Sequence, residues 1–348
     1  MAIATATLRG LYEQMLLIRV FETEAERQYK AARIGGYCHL SSGQEAATVG
    51  ATHALDADDL LVTGYRCHGF ALARGVPVEA VMAELFGRVD GCAHGRGGSM
   101  HLLDVGRGYY GGWGIVAGQL PIATGLGLGL VRQGRAQAVL CELGDGAVNM
   151  GAWHESLNLA AVWRLPVVFL VMNNEYGMGT SVERASAVTD LYRRADSYNL
   201  PAERVDGDDL LAVAQASATM LTAAREERRG GVLELVTYRQ RGHSVADAGL
   251  AYRSRGEIDE HVKHDPIFRV RDLLTQEGLG DEELDAMAAA VEAQVEAAVQ
   301  AALESPAPEV GTLATGMYAP GSAKQFARML PGAPFGEREL VFAGGLGE

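Results

Sequence analysis

The sequence contains little cysteine. Its four cysteines, Cys38, Cys67, Cys92 and Cys141, lie far apart, and none belongs to a CxxC pair. This scatter excludes a disulfide framework and argues against a structural zinc site, because both need closely organised cysteines. The first residues, MAIATATLRGLYEQ, lack a basic segment followed by an apolar stretch, so we expect no signal peptide. We therefore predict a cytoplasmic protein.

Basic residues are scarce relative to acidic ones. The chain has 30 lysines and arginines against 44 aspartates and glutamates, a formal net charge of −14 and a pI of about 5.1. A chain this acidic has no bulk attraction for nucleic acid or for anionic membranes. The longest apolar run, 165–172, is far shorter than the roughly 20 residues of a membrane-spanning helix. We predict no nucleic-acid partner and no membrane partner.

Several catalytic motifs are missing. The chain has no GxxxxGK[ST] phosphate-binding loop and no GxSxG nucleophile turn, so a P-loop nucleotide enzyme and a serine hydrolase are both unsupported. GLGLGL at 125–130 lacks the spacing of a dinucleotide-binding loop. HESLN at 154–158 has Asn158 where a zinc protease needs its second histidine. We interpret both segments as ordinary helices.

Short apolar runs alternate with helical patterns along most of the chain. Hydrophobic residues make up 48% of the sequence, which is enough for a large buried core. The alternation predicts an α/β fold with a doubly wound, mostly parallel sheet flanked by helices. Residues 91–118 hold ten glycines and no regular pattern, so we predict a long functional loop there. The predicted strands cover 60–63, 136–143, 166–172 and 232–238, and the predicted helices cover 8–32, 44–54, 77–86, 119–132, 149–163 and 209–228.

The C-terminal part has a different pattern. Asp281 is a candidate helix N-cap, and Pro306 ends the helix that follows. We expect this helix to pack on the body of the chain or on another subunit, and the last residues to form an extended arm. The predicted domains are accordingly an α/β domain at 1–275 and a C-terminal helix and arm at 276–348. The apolar stripe of the helix consists of Leu284, Met287, Val291, Val295, Val299 and Leu303.

Two glycine-containing turns follow neighbouring predicted strands, GDGAVNM at 144–150 and MNNEYGMG at 172–179. Glycine lets the backbone approach a ligand, and the N-terminus of the helix after the first turn favours an anion such as phosphate. The Asp145 carboxylate would repel a phosphate unless a cation lay between them. The sequence therefore predicts a Mg²⁺ site formed by Asp145, the side chain of Asn174 and the carbonyl oxygen of Tyr176.

A GDG turn, one βα-unit of chain and an NN pair together form the thiamin diphosphate motif, here at 144–174. Further stretches are similar to the alpha subunit of the first component of pyruvate dehydrogenase, in the 2-oxo acid dehydrogenase family. The resemblance covers roughly residues 10 to 305 in order. The matching stretches are GYCHLSSGQEA (36–46), GYRCHGFALARG (64–75), GRGGSMH (95–101), YYGGWGIVAGQLP (109–121), NNEYGMGTSVERAS (173–186) and YRQRGHSVADAG (238–249).

The resemblance implies a role for each matching position. His39 and His243 would be the catalytic histidines, His39 facing a 2-oxo acid and His243 lying near the phosphates. Ser244 aligns with a regulatory phosphorylation serine of mitochondrial relatives, and we interpret it as an ordinary loop serine. Trp113 replaces a small polar residue of those relatives near the substrate. The residues implied to bind thiamin diphosphate are Tyr65, Arg66, Gly114, Val116, Asp145, Gly146, Ala147, Asn174 and His243, and those implied to bind Mg²⁺ are Asp145, Asn174 and Tyr176.

The resemblance also implies a reaction and partners. The family carries out thiamin-dependent oxidative decarboxylation of pyruvate and transfers the acetyl group to the lipoyl domain of an acyltransferase component. A glutamate that activates the cofactor comes from a separate domain, for which 348 residues leave no room. We therefore expect a beta subunit, an α2β2 heterotetramer, and no activity from this chain alone. Alpha subunits of acetoin dehydrogenase or of branched-chain 2-oxo acid dehydrogenase are alternatives, as is a non-catalytic scaffold with the same fold.

Overall fold

A six-stranded, wholly parallel sheet lies at the centre of the computed structural model, which describes residues 3–312. The spatial order of its strands is β2-β1-β3-β4-β8-β7, and β5 and β6 form a separate two-stranded antiparallel hairpin. The order reverses between β1 and β3, and open α/β sheets bind ligands at such a switch point. The strands are β1 (Leu60–Gly64), β2 (Tyr109–Trp113), β3 (Val139–Gly144), β4 (Val167–Asn173), β5 (Tyr176–Gly177), β6 (Thr180–Ser181), β7 (Ala202–Asp206) and β8 (Gly231–Val236).

Helices cover both faces of the sheet, which confirms the predicted fold class. Short 3₁₀ helices occupy Gly98–Met100, Val105–Arg107, Asp145–Asn149, Leu191–Tyr198 and Val310–Thr312. The α-helices of the described residues are α1 (Thr5–Lys30), α2 (Glu45–His53), α3 (His68–Ala73), α4 (Val78–Leu85), α5 (Gln119–Arg132), α6 (Gly151–Val162), α7 (Val182–Ala185), α8 (Leu210–Glu227), α9 (Arg255–Lys263), α10 (Pro266–Gln276) and α11 (Asp281–Glu304).

The central strands are buried on both faces, as the near-continuous apolar runs of parallel sheets require. Alternate residues of β3 belong to different cores: Leu140 packs with residues of α1, α2 and α8, whereas Cys141 packs with residues of α5 and α6. Within α5, the small Gly127 lets the helix approach β4, because a Cβ there would lie 2.6 Å from Val167 Cγ2. The glycines of GLGLGL therefore include one that serves packing, as expected for an ordinary helix.

The C-terminal helix α11 packs against α4 and α1. Five residues of the predicted apolar stripe are buried, and Leu303, in the last turn, is 38% exposed in the chain alone. The N-cap position belongs to Gly280, not to Asp281, which is the first helical residue. One compact unit extends to Pro306 and a second begins at the next residue. The predicted arm lies largely outside the described residues, and the division at residue 275 stays a prediction.

The structure contains elements that the sequence pattern did not predict. β2 lies inside the predicted loop 91–118, and β7 forms the opposite edge of the sheet. The helices α3, α7, α9 and α10 and the short strands β5 and β6 were also missed. The helix after the GDG turn begins at Gly151, because a 3₁₀ helix at Asp145–Asn149 intervenes. Among the described helices, none is long and apolar enough to cross a membrane.

Candidate active site

A cavity of about 210 Å³ lies at the carboxyl ends of β1, β3, β4 and β8. Parallel strands all end at the same edge of the sheet, so short segments that are distant in sequence meet there. Trp113, at the end of β2, lines the same cavity. The predicted site residues that line it are Tyr65, Arg66, Val116, Asp145, Gly146, Ala147, Asn174, Tyr176 and His243.

The other two predicted residues lie beside the cavity and do not line it. The buried ring of His39 is 4.4 Å from the Tyr65 ring and 4.9 Å from the His243 ring, measured between centroids. Gly114 is not among the lining residues, although its chain neighbours Trp113 and Ile115 are. A Cβ at Gly114 would lie 3.1 Å from His101 Nε2, so the glycine allows close packing behind the wall.

Two buried arginines supply positive charge to the cavity. Arg66 is 9% exposed and Arg239 only 1% exposed. Arg66 donates hydrogen bonds to the carbonyl oxygens of Leu40 at 2.6 Å and His243 at 3.0 Å. Burial and the charge of Arg239 lower the pKa of Arg66 to about 10. Neither arginine forms a salt bridge with a described residue, although buried charges are ordinarily paired.

The three predicted metal ligands converge near one of these arginines. Arg239 Nη1 donates to Asn174 Oδ1 at 3.4 Å and to the Tyr176 carbonyl at 3.1 Å, so a cationic group already spans two of the predicted ligand oxygens. A Cβ on Gly177 would lie 3.4 Å from Asp145 Oδ2, which places the carboxylate beside the same hairpin. Burial raises the pKa of Asp145 to about 6. Within residues 3–312 no cluster of three histidine, cysteine or acidic side chains suits a metal, so a site here depends on amide and carbonyl oxygens.

The backbone around the cavity is strained at three residues. Ala117, Glu175 and Met178 have φ values of 65°, 71° and 55°, in the left-handed region that non-glycine residues rarely adopt. Glu175 lies between Asn174 and Tyr176 and shapes the turn that leads into β5. Such residues cluster at ligand-binding and catalytic sites because the surrounding structure must hold them in place.

The pKa values of both candidate catalytic histidines lie below the usual range, which favours the neutral rings at neutral pH. Burial, with the positive charge of Arg66, lowers the pKa of His39 to about 2 and that of His243 to about 4. Without an anion in the cavity, the buried arginines oppose a further positive charge on either ring. The Nδ1 atoms of both rings are buried and have no hydrogen-bond partner among the described residues. Of the two residues, only His243 lines the cavity.

The loop that carries His243 is fixed by a network centred on Asp247. The Asp247 carboxylate accepts hydrogen bonds from the His243 amide at 2.7 Å and from the Tyr252 hydroxyl at 2.6 Å. Tyr252 in turn accepts from Arg239 Nη2 at 3.0 Å, which joins the loop to the cavity. Ser244 is only 8% exposed.

The sequence matches one protein family over most of its length. A family model described as "Dehydrogenase E1 component" matches residues 13–311. The chain belongs to this family. Members of the Dehydrogenase E1 component family depend on thiamin diphosphate, and the parallel α/β sheet agrees with their fold.

Three similar proteins are all named as the alpha subunit of a pyruvate dehydrogenase E1 component. The chain is 44% identical over 306 residues to the pyruvate dehydrogenase E1 component subunit alpha of Rhizobium meliloti (strain 1021), covering 87% of this chain and 88% of that protein. It is 42% identical over 310 residues to the somatic, mitochondrial form of the same subunit from Homo sapiens, covering 88% and 78%. The corresponding mitochondrial subunit of Sminthopsis macroura is 41% identical over 310 residues, covering 88% and 84%.

The cavity residues of this E1 component chain that were not predicted include Arg239, Glu142 and Gln119. Arg239 follows β8 at the same edge as Asp145 and Asn174, so the rule that located those two could have located it. Glu142 is a lone charged residue within an apolar strand, and a buried charge of this kind indicates a candidate functional residue. Gln119 carried no distinguishing signal, because its role depends on contacts with β3.

Proposed function

We propose that this chain is the alpha subunit of a pyruvate dehydrogenase E1 component that acts with thiamin diphosphate and Mg²⁺. The observation that carries the proposal is the pair of buried arginines, Arg66 and Arg239, which face the cavity without a carboxylate partner. An anionic diphosphate would provide the missing negative charge, since guanidinium groups suit phosphate oxygens. The names of the relatives support the choice of pyruvate.

The residues present suit the diphosphate and its metal. The diphosphate would be held by Tyr65 and Arg66 on one side and by the backbone of Asp145, Gly146 and Ala147 on the other. Magnesium usually takes one or two carboxylates together with phosphate oxygens, so Asp145 with Asn174 and the Tyr176 carbonyl is a sufficient set. Arg239 Nη1 would lose its hydrogen bonds to Asn174 Oδ1 and to the Tyr176 carbonyl oxygen when a metal binds these two oxygens.

Thiamin diphosphate, when bound, supplies a carbanion and then accepts the electrons left behind as a 2-oxo acid loses carbon dioxide. The chain contributes binding, orientation and proton positions. His39 and His243 present unpaired Nδ1 atoms beside the cavity. Negative charge near His243 would offset the arginines and raise its pKa toward neutrality, where a histidine can hold or release a proton.

A beta subunit would complete the site. Large apolar side chains beside the cavity are exposed: Ile115 at 76%, Met178 at 65% and Val116 at 44%. Exposed apolar groups clustered around a cavity mark a surface that another protein covers. We infer an α2β2 assembly in which the beta subunit supplies the remaining part of the cofactor site, with the acetyl group passed to a lipoyl domain. The cytoplasmic location stays a prediction.

The substrate test compares three compounds. The chain is produced together with its beta subunit, and turnover is measured with pyruvate, acetoin and 2-oxoisovalerate at saturating thiamin diphosphate and Mg²⁺. We expect pyruvate to give the highest kcat/KM. Trp113 lines the cavity where mitochondrial relatives have a small residue, so Trp113→Ser is the informative variant for the acetoin and branched-chain alternatives. Negligible turnover of pyruvate by the assembled complex would refute the proposal.

A further inference from the structure

Glu142 is a buried carboxylate in an otherwise apolar strand. It lies on β3, is 5% exposed, and lines the cavity together with Arg66 and Asp145. In the proposed function Asp145 binds the metal and Arg66 binds the anion, whereas Glu142 has no role. A charged side chain is rarely placed in a central strand without a partner or a purpose, because its burial opposes folding.

The contacts of Glu142 tie it to the anion-binding turn. Its Oε2 accepts a hydrogen bond of 2.8 Å from the amide of Gly64, the residue immediately before Tyr65 and Arg66. A Cβ on Gly64 would lie 3.4 Å from Gln119 Nε2 and 3.5 Å from Glu142 Oε2, so both groups pack against this glycine. The same Gln119 amide donates to the Glu142 backbone carbonyl at 2.9 Å. Glu142 forms no salt bridge with any described residue, so one hydrogen bond is its main compensation for burial.

Glu142 shares the cavity with the titratable or charged groups Arg66, Arg239, Asp145 and His243. Arg66 favours the ionised form of Glu142. Burial raises the pKa values of Tyr65 and Cys67, in the turn after β1, and of Cys141 on β3, and Glu142 adds to each of these shifts. Burial outweighs the other influences and raises the pKa of Glu142 to about 7. Both protonation states are therefore well populated near neutral pH when the cavity holds no anion.

We propose that Glu142 takes up a proton from solvent when the diphosphate of the cofactor binds, so that the cavity never has to hold an extra negative charge beside the anion. This inference rests on the proposed function. A diphosphate beside Arg66 would offset a charge that favours ionised Glu142 and would add negative charge to the same cavity, of which the Mg²⁺ held at Asp145 would cancel only a part. The carboxylate gains a proton from the buffer acid or from water, whose own bond to that proton breaks, and no other covalent bond changes.

Linkage fixes the direction of the pH effect. Because anion binding favours the protonated carboxyl, cofactor affinity is unaffected by Glu142 at pH values where it is already protonated. Affinity falls as pH rises above the value at which free Glu142 titrates, by up to about tenfold per pH unit. The proton thus acts as a co-ligand of the cofactor.

The test measures protons directly. Thiamin diphosphate is titrated calorimetrically into the complex of this chain with its beta subunit at pH 7.5 and saturating Mg²⁺, in three buffers of different ionisation enthalpy. The dependence of the observed heat on that enthalpy gives the number of protons taken up. The neutral, nearly isosteric Glu142→Gln keeps an acceptor for the Gly64 amide, and Glu142→Leu removes it. We expect both variants to take up fewer protons than the wild type, by up to about one, and their affinity to vary less between pH 7 and 8.

Asp208→Asn is the matched control. Burial raises the pKa of Asp208 to about 8, but Asp208 does not line the cavity, so its removal should leave the proton uptake at the wild-type value. Protons taken up by the diphosphate itself, by His243 or by Asp145 are common to the wild type and the Glu142 variants, so the difference isolates Glu142. Equal proton uptake by the wild type and both Glu142 variants would overturn the inference while leaving the proposed function intact. Absence of cofactor binding by the wild-type complex would overturn both.

Discussion

Arg66, Arg239 and Asp145 are three buried charges that the chain alone does not neutralise. Burial raises the pKa of Asp145 above its ordinary value, to about 6. For a carboxyl whose folded-state pKa is raised, the ionised form opposes folding at pH values above the folded pKa, and this cost disappears below the unfolded pKa near 4. The folded cavity is thus destabilised at neutral pH in a way that a bound metal and diphosphate would reverse.

Asp145→Asn separates the cost of burying this carboxylate from its part in cofactor binding. Without cofactor at pH 7.5, we expect the variant complex to unfold at a higher temperature, because removing the buried charge stabilises it by about 1 to 3 kcal/mol. With saturating Mg²⁺ and thiamin diphosphate, we expect the large upward shift of the wild-type melting temperature to be mostly lost, since cofactor affinity should fall at least tenfold. Differential scanning calorimetry with and without cofactor measures both changes.

Asp272→Asn on the exposed face of α10 is the control. It should change the free energy of unfolding by no more than about 0.5 kcal/mol, with or without cofactor. A variant at Asp145 that retained the full cofactor-dependent shift would show that this carboxylate is not a metal ligand.

Residues in the two strand-end turns could be predicted because the signal there is local. Asp145 and Asn174 each lie in a short glycine-containing segment directly after an apolar strand, and the parallel sheet brings such segments together. The positions of Arg239 and Glu142 in the cavity could not be predicted from the sequence, because they depend on contacts with groups that are distant in the chain. The lowered pKa of His243 could not be predicted either, since it depends on arginines that are distant in sequence.

At the scale of elements, the buried strands were predicted and the edge strands were not. β3 and β4 are apolar on both faces and stand out in the sequence. β7 has a sequence of AERVD, with Glu203 and Arg204 exposed, because an edge strand is covered less completely. β2 contains two glycines and lies in a glycine-rich stretch, so its sequence resembles a loop. The helix α11 was predicted well because its apolar stripe repeats at helical spacing.

The packing of α11 predicts a measurable stability cost. Val295 is 1% exposed in the interface of α11 with the body of the chain. Val295→Ala removes two buried methyl groups and leaves a small cavity, so we expect a loss of about 1 to 3 kcal/mol in the free energy of unfolding. Urea unfolding followed by circular dichroism measures the change. Val162→Ala on α6, where the side chain is 67% exposed, should cost less than about 0.5 kcal/mol. Similar costs for the two substitutions would contradict the packing described for α11.

At the scale of the whole molecule, the fold places the cavity at the switch point of a parallel sheet. The diphosphate side of the cavity is built from buried arginines, a carboxylate and strained turns, while the open side carries exposed apolar groups. Sequence motifs, above all the thiamin diphosphate motif, sufficed to predict which strand ends carry this cavity. The identity of the beta subunit and of the lipoyl protein depends on surfaces that those motifs do not encode.

The central claim is that this cavity binds thiamin diphosphate through a divalent metal once the beta subunit is in place. The most direct measurement is the stoichiometry and affinity of thiamin diphosphate binding to the assembled complex, with Mg²⁺ and with the metal removed by chelation. We predict one cofactor per copy of this chain with Mg²⁺ and binding weakened at least tenfold without it. Absence of binding, or equal affinity with and without the metal, would contradict the account.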